Sequence, residues 1–378
     1  MNSYLTAETS VDAVRTNLKL LRDMTKPGTL LCACVKADCY GHRLELLIDA
    51  ICAMADVLGV ATPEEAICVR SLGCKLPVLS FFSACAYSAG NELHDAIEEL
   101  IVQNITQTIV SIEEVTLLGK TARRIGTDAE VHIKVDSGMG RSGVRAIDAL
   151  ELLRAAQNEP GIKLTGMYTH FACADEADLT FTTQQLATFN QVIEACGDLT
   201  GLTIHTANSA ATIDMPEAHF DMVRPGLSVY GYQPSEYVKN RLPLQPAFRL
   251  TGKLLPIKTI DAGSSCGYGQ TYTFDRRSRI GRVPIGYGDG YLRCLSNRAT
   301  VRIRGHNAPV RGRVSMDQII VDVTDVPNAQ LGDDVEIVSA DPTAPNSVEN
   351  LAKLADTVPH EIVCRLGGRM RHVRVEKF

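Results

Sequence analysis

Lys36 stands at the end of an apolar run, and Tyr40 follows four residues later. The run Leu30-Leu31-Cys32-Ala33-Cys34-Val35 reads as a buried strand, and the chain continues Lys36-Ala37-Asp38-Cys39-Tyr40-Gly41-His42. Burial disfavours an ammonium charge and lowers its pKa. That suits an amine meant to form a Schiff base with an aldehyde, while a phenol in the following loop can reach a phosphate. A lysine that snorkels to water at a strand end is the plain alternative.

Other polar residues stand at the ends of apolar runs in the same way: Asp136 to Arg141, His170, Asn208 with Ser209, and Arg224. The runs are Leu30–Lys36, Val57–Ala61, Pro77–Phe81, Thr106–Val110, Glu130–Val135, Lys163–Thr169, Thr203–Thr206 and Asp221–Arg224, with amphipathic stretches of helical period between them. The alternation predicts an α/β fold, a closed (β/α)8 TIM barrel of parallel strands over residues 1–235. Chemistry in such a barrel gathers at the C-terminal ends of its strands. Beyond Gly231 prolines cluster, and glycine-bounded runs such as Ala299–Arg304, Gln318–Thr324 and Asp334–Val338 predict a mostly antiparallel β domain over 236–378. Residues 1–10 are expected to pack with that second domain.

Composition bounds the partners. The chain has 378 residues, 45% hydrophobic and 22% charged, with net charge −6. That is enough for two domains, and nothing in it points to nucleic acid or a membrane surface. No apolar run approaches the roughly 20 residues of a membrane helix, and no signal peptide is visible. The 12 cysteines include no C-x-x-C pair. That argues for reduced thiols in a cytoplasmic protein, and against a metal site or a disulfide framework. A cytoplasmic domain of a longer membrane protein would look the same. Gly138-Met139-Gly140-Arg141-Ser142-Gly143 matches G-x-G-x-x-G, but it follows the fifth strand rather than the first and carries a cation where backbone approach matters. A structural loop is the simpler reading.

Residues 35–42 resemble the pyridoxal-phosphate attachment motif of alanine racemases, V-K-A-D-A-Y-G-H-G, with Cys39 for the alanine and Arg43 for the last glycine. Lys134 to Arg141 resembles that family's K-V-D-T-G-M-G-R, and Tyr168 to Glu176 its Y/H-T-H-F-A-x-A-D-E. His205 to Ala211 resembles H-x-A-N-S-A-A, Cys266 to Tyr272 resembles V-S-Y-G-x-T-Y, and Ile285–Gly290 with Gly312–Gln318 resemble G-Y-x-D-G and G-R-x-x-M-D-Q. The matches cover nearly the whole chain in order. The resemblance implies a pyridoxal-phosphate-dependent racemase of alanine, working as a homodimer with shared active sites. It implies Lys36 and Tyr268 as catalytic bases from opposite subunits. Lys36, Tyr40, His170, Asn208, Ser209, Arg224 and Gly226 would surround the cofactor. Arg141, Met316, Tyr287 and Asp317 would meet the substrate, with Lys134, open to carbamylation, positioning Arg141. Asp175, His205, Arg293 and Arg313 would line an outer corridor. Arginine keeps its proton and repels a second cation, so Arg224 would keep the pyridine nitrogen unprotonated and suppress transamination.

One departure bears on substrate. The family's T-x-x-Y-E-x-x-C becomes Thr357-Val358-Pro359-His360-Glu361-Ile362-Val363-Cys364, so His360 replaces a tyrosine that binds the cofactor phosphate. Related serine racemases of vancomycin-resistance systems change the same tyrosine. Serine, or serine with alanine, is therefore an expected alternative substrate. A decarboxylase of this architecture would place an acid where Arg224 stands, and a non-enzymatic cofactor carrier would lack the β domain.

Overall fold

The computed structural model describes residues 4–83 and 91–378. The first strand, Leu5–Ser10 (β1), lies outside the barrel. Eight strands then pair in parallel in chain order: Leu30–Cys34 (β2), Val57–Val60 (β3), Val78–Ser80 (β4), Ile105–Ile109 (β5), Ala129–Asp136 (β6), Ile162–Tyr168 (β7), Thr203–His205 (β8) and Met222–Val223 (β9). β9 pairs back with β2 and closes the barrel. Leu31, Cys32, Ala33 and Cys34 of β2 are all buried, because helices cover the outside of such a barrel and side chains fill its interior. The helix Pro63–Ser71 shows how locally the helices are specified. Thr62 and Glu65 form a reciprocal capping box there, and Pro63 occupies the first turn, where a missing N–H costs nothing.

β1 pairs antiparallel with Phe248–Lys253 and parallel with the edge strand Arg371–Val375, in a six-stranded sheet that also holds Thr300–Ile303, His306–Pro309 and Asp334–Val338. A smaller antiparallel sheet joins Lys258–Ile260, Ser278–Val283 and Ile319–Asp322. The helix Pro359–Arg365 packs back on the barrel, where a Cβ on Gly41 would overlap the Val363 carbonyl. Among the described residues no helix is long and apolar enough to cross a membrane. β2 stops at Cys34, two residues short of Lys36.

Candidate active site

Lys36 opens a left-handed turn. Ala37, Asp38, Cys39 and Tyr40 have φ of 50°, 54°, 56° and 54°, a conformation costing an L-residue about 1–2 kcal/mol. Glu65 Oε1 accepts from Ala37 N at 2.7 Å, Asp38 Oδ1 from Leu44 N at 2.7 Å, and Asp38 Oδ2 from Arg43 Nη1 at 2.8 Å. His42 Nδ1 lies 2.9 Å and 3.0 Å from the carbonyls of Cys39 and Tyr40. Carbonyls only accept, so Nδ1 carries the proton and clamps the turn. Backbone strain held in this way marks functional positions. The turn brings Lys36, half-buried rather than sealed in a strand, and buried Tyr40 to one cavity of about 390 Å³.

Tyr40, Ser209 and Gly226 meet in that cavity. A Cβ on Gly226 would overlap the Tyr40 hydroxyl. Ser209 Oγ accepts from Gly226 N at 2.8 Å, which leaves its own O–H to donate. Burial pushes the Tyr40 phenol upward and keeps it a neutral donor. Asn208 caps the helix Ser209–Asp214, its Oδ1 accepting from Ala211 N at 3.1 Å. Neutral donors around the space a missing side chain leaves fit a phosphate. Gly226→Ala is expected to weaken binding of a phosphate-bearing cofactor about tenfold or more, the worth of one charge-assisted hydrogen bond. Titration of the apo-protein measures this, and unchanged affinity would remove Gly226 from the cradle.

Arg224 is buried at the barrel end of the cavity. It reaches His205 Nδ1 at 2.6 Å, the Thr169 carbonyl at 2.8 Å, the Thr206 carbonyl at 3.1 Å and His170 Nδ1 at 3.2 Å. A guanidinium only donates, so both Nδ1 atoms are lone pairs and both rings carry their proton on Nε2. His205 Nε2 then donates to His132 Nδ1 at 3.0 Å, fixing the third ring in the same tautomer. Desolvation, with Arg224 adding to it, lowers all three histidines, His132 to about 3. The Tyr168 ring stacks on His205 at 4.7 Å, and the Arg224 guanidinium lies 5.1 Å from its centroid. Two carbonyls and two imidazoles leave the guanidinium charge uncancelled. It opposes protonation of any ring nitrogen that faces it.

Lys134 is buried on the same wall. Desolvation, then Arg141 and Arg224, lower its pKa to about 8, with Asp136 opposing. His360, exposed Arg141 and half-buried Asp175 also line the cavity. The His360 ring lies 5.6 Å from that of Tyr40. Burial and then Lys36 lower its pKa, and Asp175 opposes them.

Tyr268, Tyr287, Arg293, Arg313, Met316 and Asp317 are not among the residues lining this cavity. They belong to the β domain. Tyr287 N donates to the Ser315 carbonyl and Gly288 N to that of Met316, both at 3.0 Å. A Cβ on Gly269 would come 3.0 Å from Arg313 Nη1. Arg369 ties Asp317 to Asp289. Arg293 opens the turn before Ser296, whose Oγ accepts from Val314 N at 2.9 Å. Tyr268 is 73% exposed and Met316 55%, so in one chain these groups face open surface.

His205, expected along an outer corridor, is instead sealed in the barrel, because it closes β8 with its ring among Tyr168, His132 and Arg224. The glycine loop is folded round Asp136, whose Oδ1 accepts from Gly138 N at 2.9 Å and Gly140 N at 3.1 Å. The next α-helix starts only at Ala149, so the loop lacks the helix N-terminus that a dinucleotide site requires. Glu65 and His132 carry no local sequence signal of their roles, and Tyr168 enters only as the first residue of the Tyr168 to Glu176 match. Gly166 is the one available clue to His132, since a Cβ there would come 2.6 Å from its ring.

The alanine racemase N-terminal domain model matches residues 9–234, and the C-terminal domain model matches 247–374. The alanine racemase of Desulfovibrio desulfuricans is 38% identical over 374 residues, covering 98% of each chain. The structure of alanine racemase from D-cycloserine-producing Streptomyces lavendulae superposes with a TM-score of 0.92 at 34% identity, covering 99% of this chain and 98% of that one. That of Bartonella henselae, with covalently bound pyridoxal phosphate, superposes with a TM-score of 0.87 at 26% identity, covering 99% of this chain and 100% of that one. Likeness that runs through barrel and β domain alike, at this identity and over full length, has one meaning: the chain belongs to the alanine racemase family of isomerases.

Proposed function

We propose that the protein interconverts L- and D-alanine with pyridoxal phosphate as cofactor, as a homodimer with shared active sites in a reducing cytoplasm. One observation carries this reading. The site expected from sequence is split between an amine-bearing barrel cavity and an exposed tyrosine cluster, and the β domain of a partner set over the barrel mouth would join the halves. Lys36, Tyr40, His170, Asn208, Ser209, Arg224, Gly226 and His360 would hold the cofactor. When bound, it supplies an electron-accepting ring conjugated to the substrate α-carbon. Lys36 Nζ takes the α-proton from one face, and Tyr268 of the partner subunit delivers one to the other from its phenol oxygen. The reverse reaction exchanges the roles, as stereoinversion by two bases requires. Arg141 and the backbone of Met316 of the partner subunit hold the carboxylate. Tyr287 of the partner subunit and Asp317 of the partner subunit narrow the entrance. Asp175, Arg293 of the partner subunit and Arg313 of the partner subunit line the approach.

The test is D-enantiomer production from L-alanine and L-serine by the cofactor-loaded protein, with Lys36→Ala as control. Absence of D-alanine despite bound cofactor would overturn the reading.

Lys134 supports a further step. An amine lowered to about 8 is partly neutral at physiological pH and can attack carbon dioxide, losing a proton as the N–C bond forms. The resulting carbamate replaces a buried cation beside Arg141 with an anion that accepts from it. A carbamate resonance is expected in ¹³C spectra with labelled bicarbonate and should vanish in Lys134→Ala. Its absence from the parent protein would remove the modification.

His360 favours a second reading, appreciable serine racemisation, because its ring lies beside Tyr40 in the cavity wall. His360→Tyr is expected to lower the serine-to-alanine ratio of kcat/KM by about tenfold, the scale on which one pocket contact discriminates. An equal or higher ratio would count against it.

A further inference from the structure

We propose that Cys52 and Cys74 are an oxidative modification site, forming a reversible disulfide that staples the part of the barrel supporting the Lys36 turn. Their Sγ atoms lie 3.1 Å apart. A disulfide needs about 2.05 Å, so closure takes roughly 1 Å of movement. Among the described residues no other two thiols are hydrogen-bonded to each other. Cys52 is the last residue of the helix Leu44–Cys52, and it is partly exposed. Cys74 is buried in the connection to β4, where Arg70 Nη1 donates to the carbonyls of Cys74 at 3.1 Å and Leu76 at 2.6 Å. The hydrogen bond from the Cys52 thiol favours the Cys74 thiolate, the Leu76 N–H and Arg70 add to it, and burial opposes. The same bond raises Cys52. One sulfur is thus nucleophilic while its neighbour keeps a proton, the pairing that thiol oxidation uses.

With hydrogen peroxide as oxidant, the Cys74 thiolate attacks one peroxide oxygen, the O–O bond breaks, and hydroxide leaves a sulfenic acid. The Cys52 sulfur then attacks the Cys74 sulfur, the S–S bond forms, and the S–O bond breaks. Water departs, taking up the Cys52 proton. Overall, two thiols and one peroxide give one disulfide and two waters. A dithiol reductant reverses the bond.

The bridge would close a loop containing β3, Ala61 and the helix Pro63–Ser71. Ala61 lines the active cavity, and Glu65 of that helix accepts from Ala37 N beside Lys36. The sulfurs already touch, so oxidation restrains this unit without reshaping it. Racemase turnover should persist while the unfolded chain loses freedom.

The experiment treats reduced, cofactor-loaded protein with peroxide, alkylates the remaining thiols and maps peptides without reduction. The expected result is a mass lower by two hydrogens and two fewer free thiols than the 12 of the sequence. One cross-linked peptide should join Cys52 to Cys74, restored by dithiothreitol. The thermal midpoint should rise by several degrees in the parent protein and not in Cys52→Ser. Alkylation of both Cys52 and Cys74 after peroxide, with exposed Cys68, Cys294 or Cys364 consumed instead, would overturn the site. A bridge that forms but lowers the midpoint would overturn its role as a staple. The mapping needs no variant, so poor folding of Cys52→Ser would not blunt the test.

Discussion

Mixing two inactive variants is expected to restore racemase activity. Lys36→Ala removes the amine of the barrel cavity, and Tyr268→Phe removes the phenol of the exposed cluster. Each alone should lose about 10³-fold in kcat, the usual worth of a positioned base. If the two groups of one site come from different chains, a dimer with one subunit of each kind has one doubly damaged site and one intact site. Random pairing in a twofold dimer makes about half the dimers mixed, so about a quarter of the parent activity returns. If each chain completes its own site, nothing returns. Co-expression of the two variants, followed by a D-alanine assay on the purified mixture, distinguishes the outcomes. The physical ground is the 73% exposure of Tyr268. A general base works inside a covered site, within reach of the proton it moves. The phenol needs covering and a cationic neighbour, and the barrel cavity offers Arg224 behind His170 at 3.2 Å.

The barrel is legible in the sequence because parallel strands covered on both faces read as unbroken apolar runs. Each of β2 to β9 overlaps such a run, and Asp334–Val338 in the β domain coincides with its run. The ends of the runs are less legible. Val35 continues the apolar run up to Lys36, yet the chain leaves β2 at Cys34, and Glu65, from a helix beyond β3, captures Ala37 N. The family pattern groups Lys36, Tyr40, Ser209, Arg224 and Gly226, which line one cavity. It places His205 wrongly, because that ring is positioned by Arg224 19 residues away and by His132 73 residues away. Long-range polar contacts leave no periodicity behind. A histidine that meets solvent and one that locks a buried guanidinium look alike in a local motif.

Mild acid is expected to unfold the protein well above the carboxylate range. Burial lowers His42 to about 4 and His132 to about 3, and pushes His170 and His205 well down. In the unfolded chain each ring titrates near 6.5. Between these values the unfolded state binds more protons, so stability is full above about pH 6.5 and is lost as pH falls below it. At pH 5 His42 and His132 each cost about 2 kcal/mol. Together they cost about 4 kcal/mol, against the roughly 5–15 kcal/mol by which natural domains are stable, and His170 and His205 act in the same direction. Glu349 acts in the opposite sense, since burial raises its carboxyl, but it is one group against seven histidines that burial lowers, His219, His360 and His372 included. The thermal midpoint should therefore hold from pH 8 to 7, fall steeply below about 6.5, and reach acid unfolding near pH 5. His132→Gln keeps an acceptor for His205 Nε2 without a titrating ring, and should make that fall shallower by about 2 kcal/mol at pH 5. His132→Leu leaves the His205 N–H without its acceptor and should lower the midpoint at every pH. A midpoint that stays flat from pH 7 to 5.5 would mean that these rings are not held neutral in the fold; His170 and His205 would then not present bare Nδ1 atoms to Arg224, and the tautomer chain would have to be abandoned.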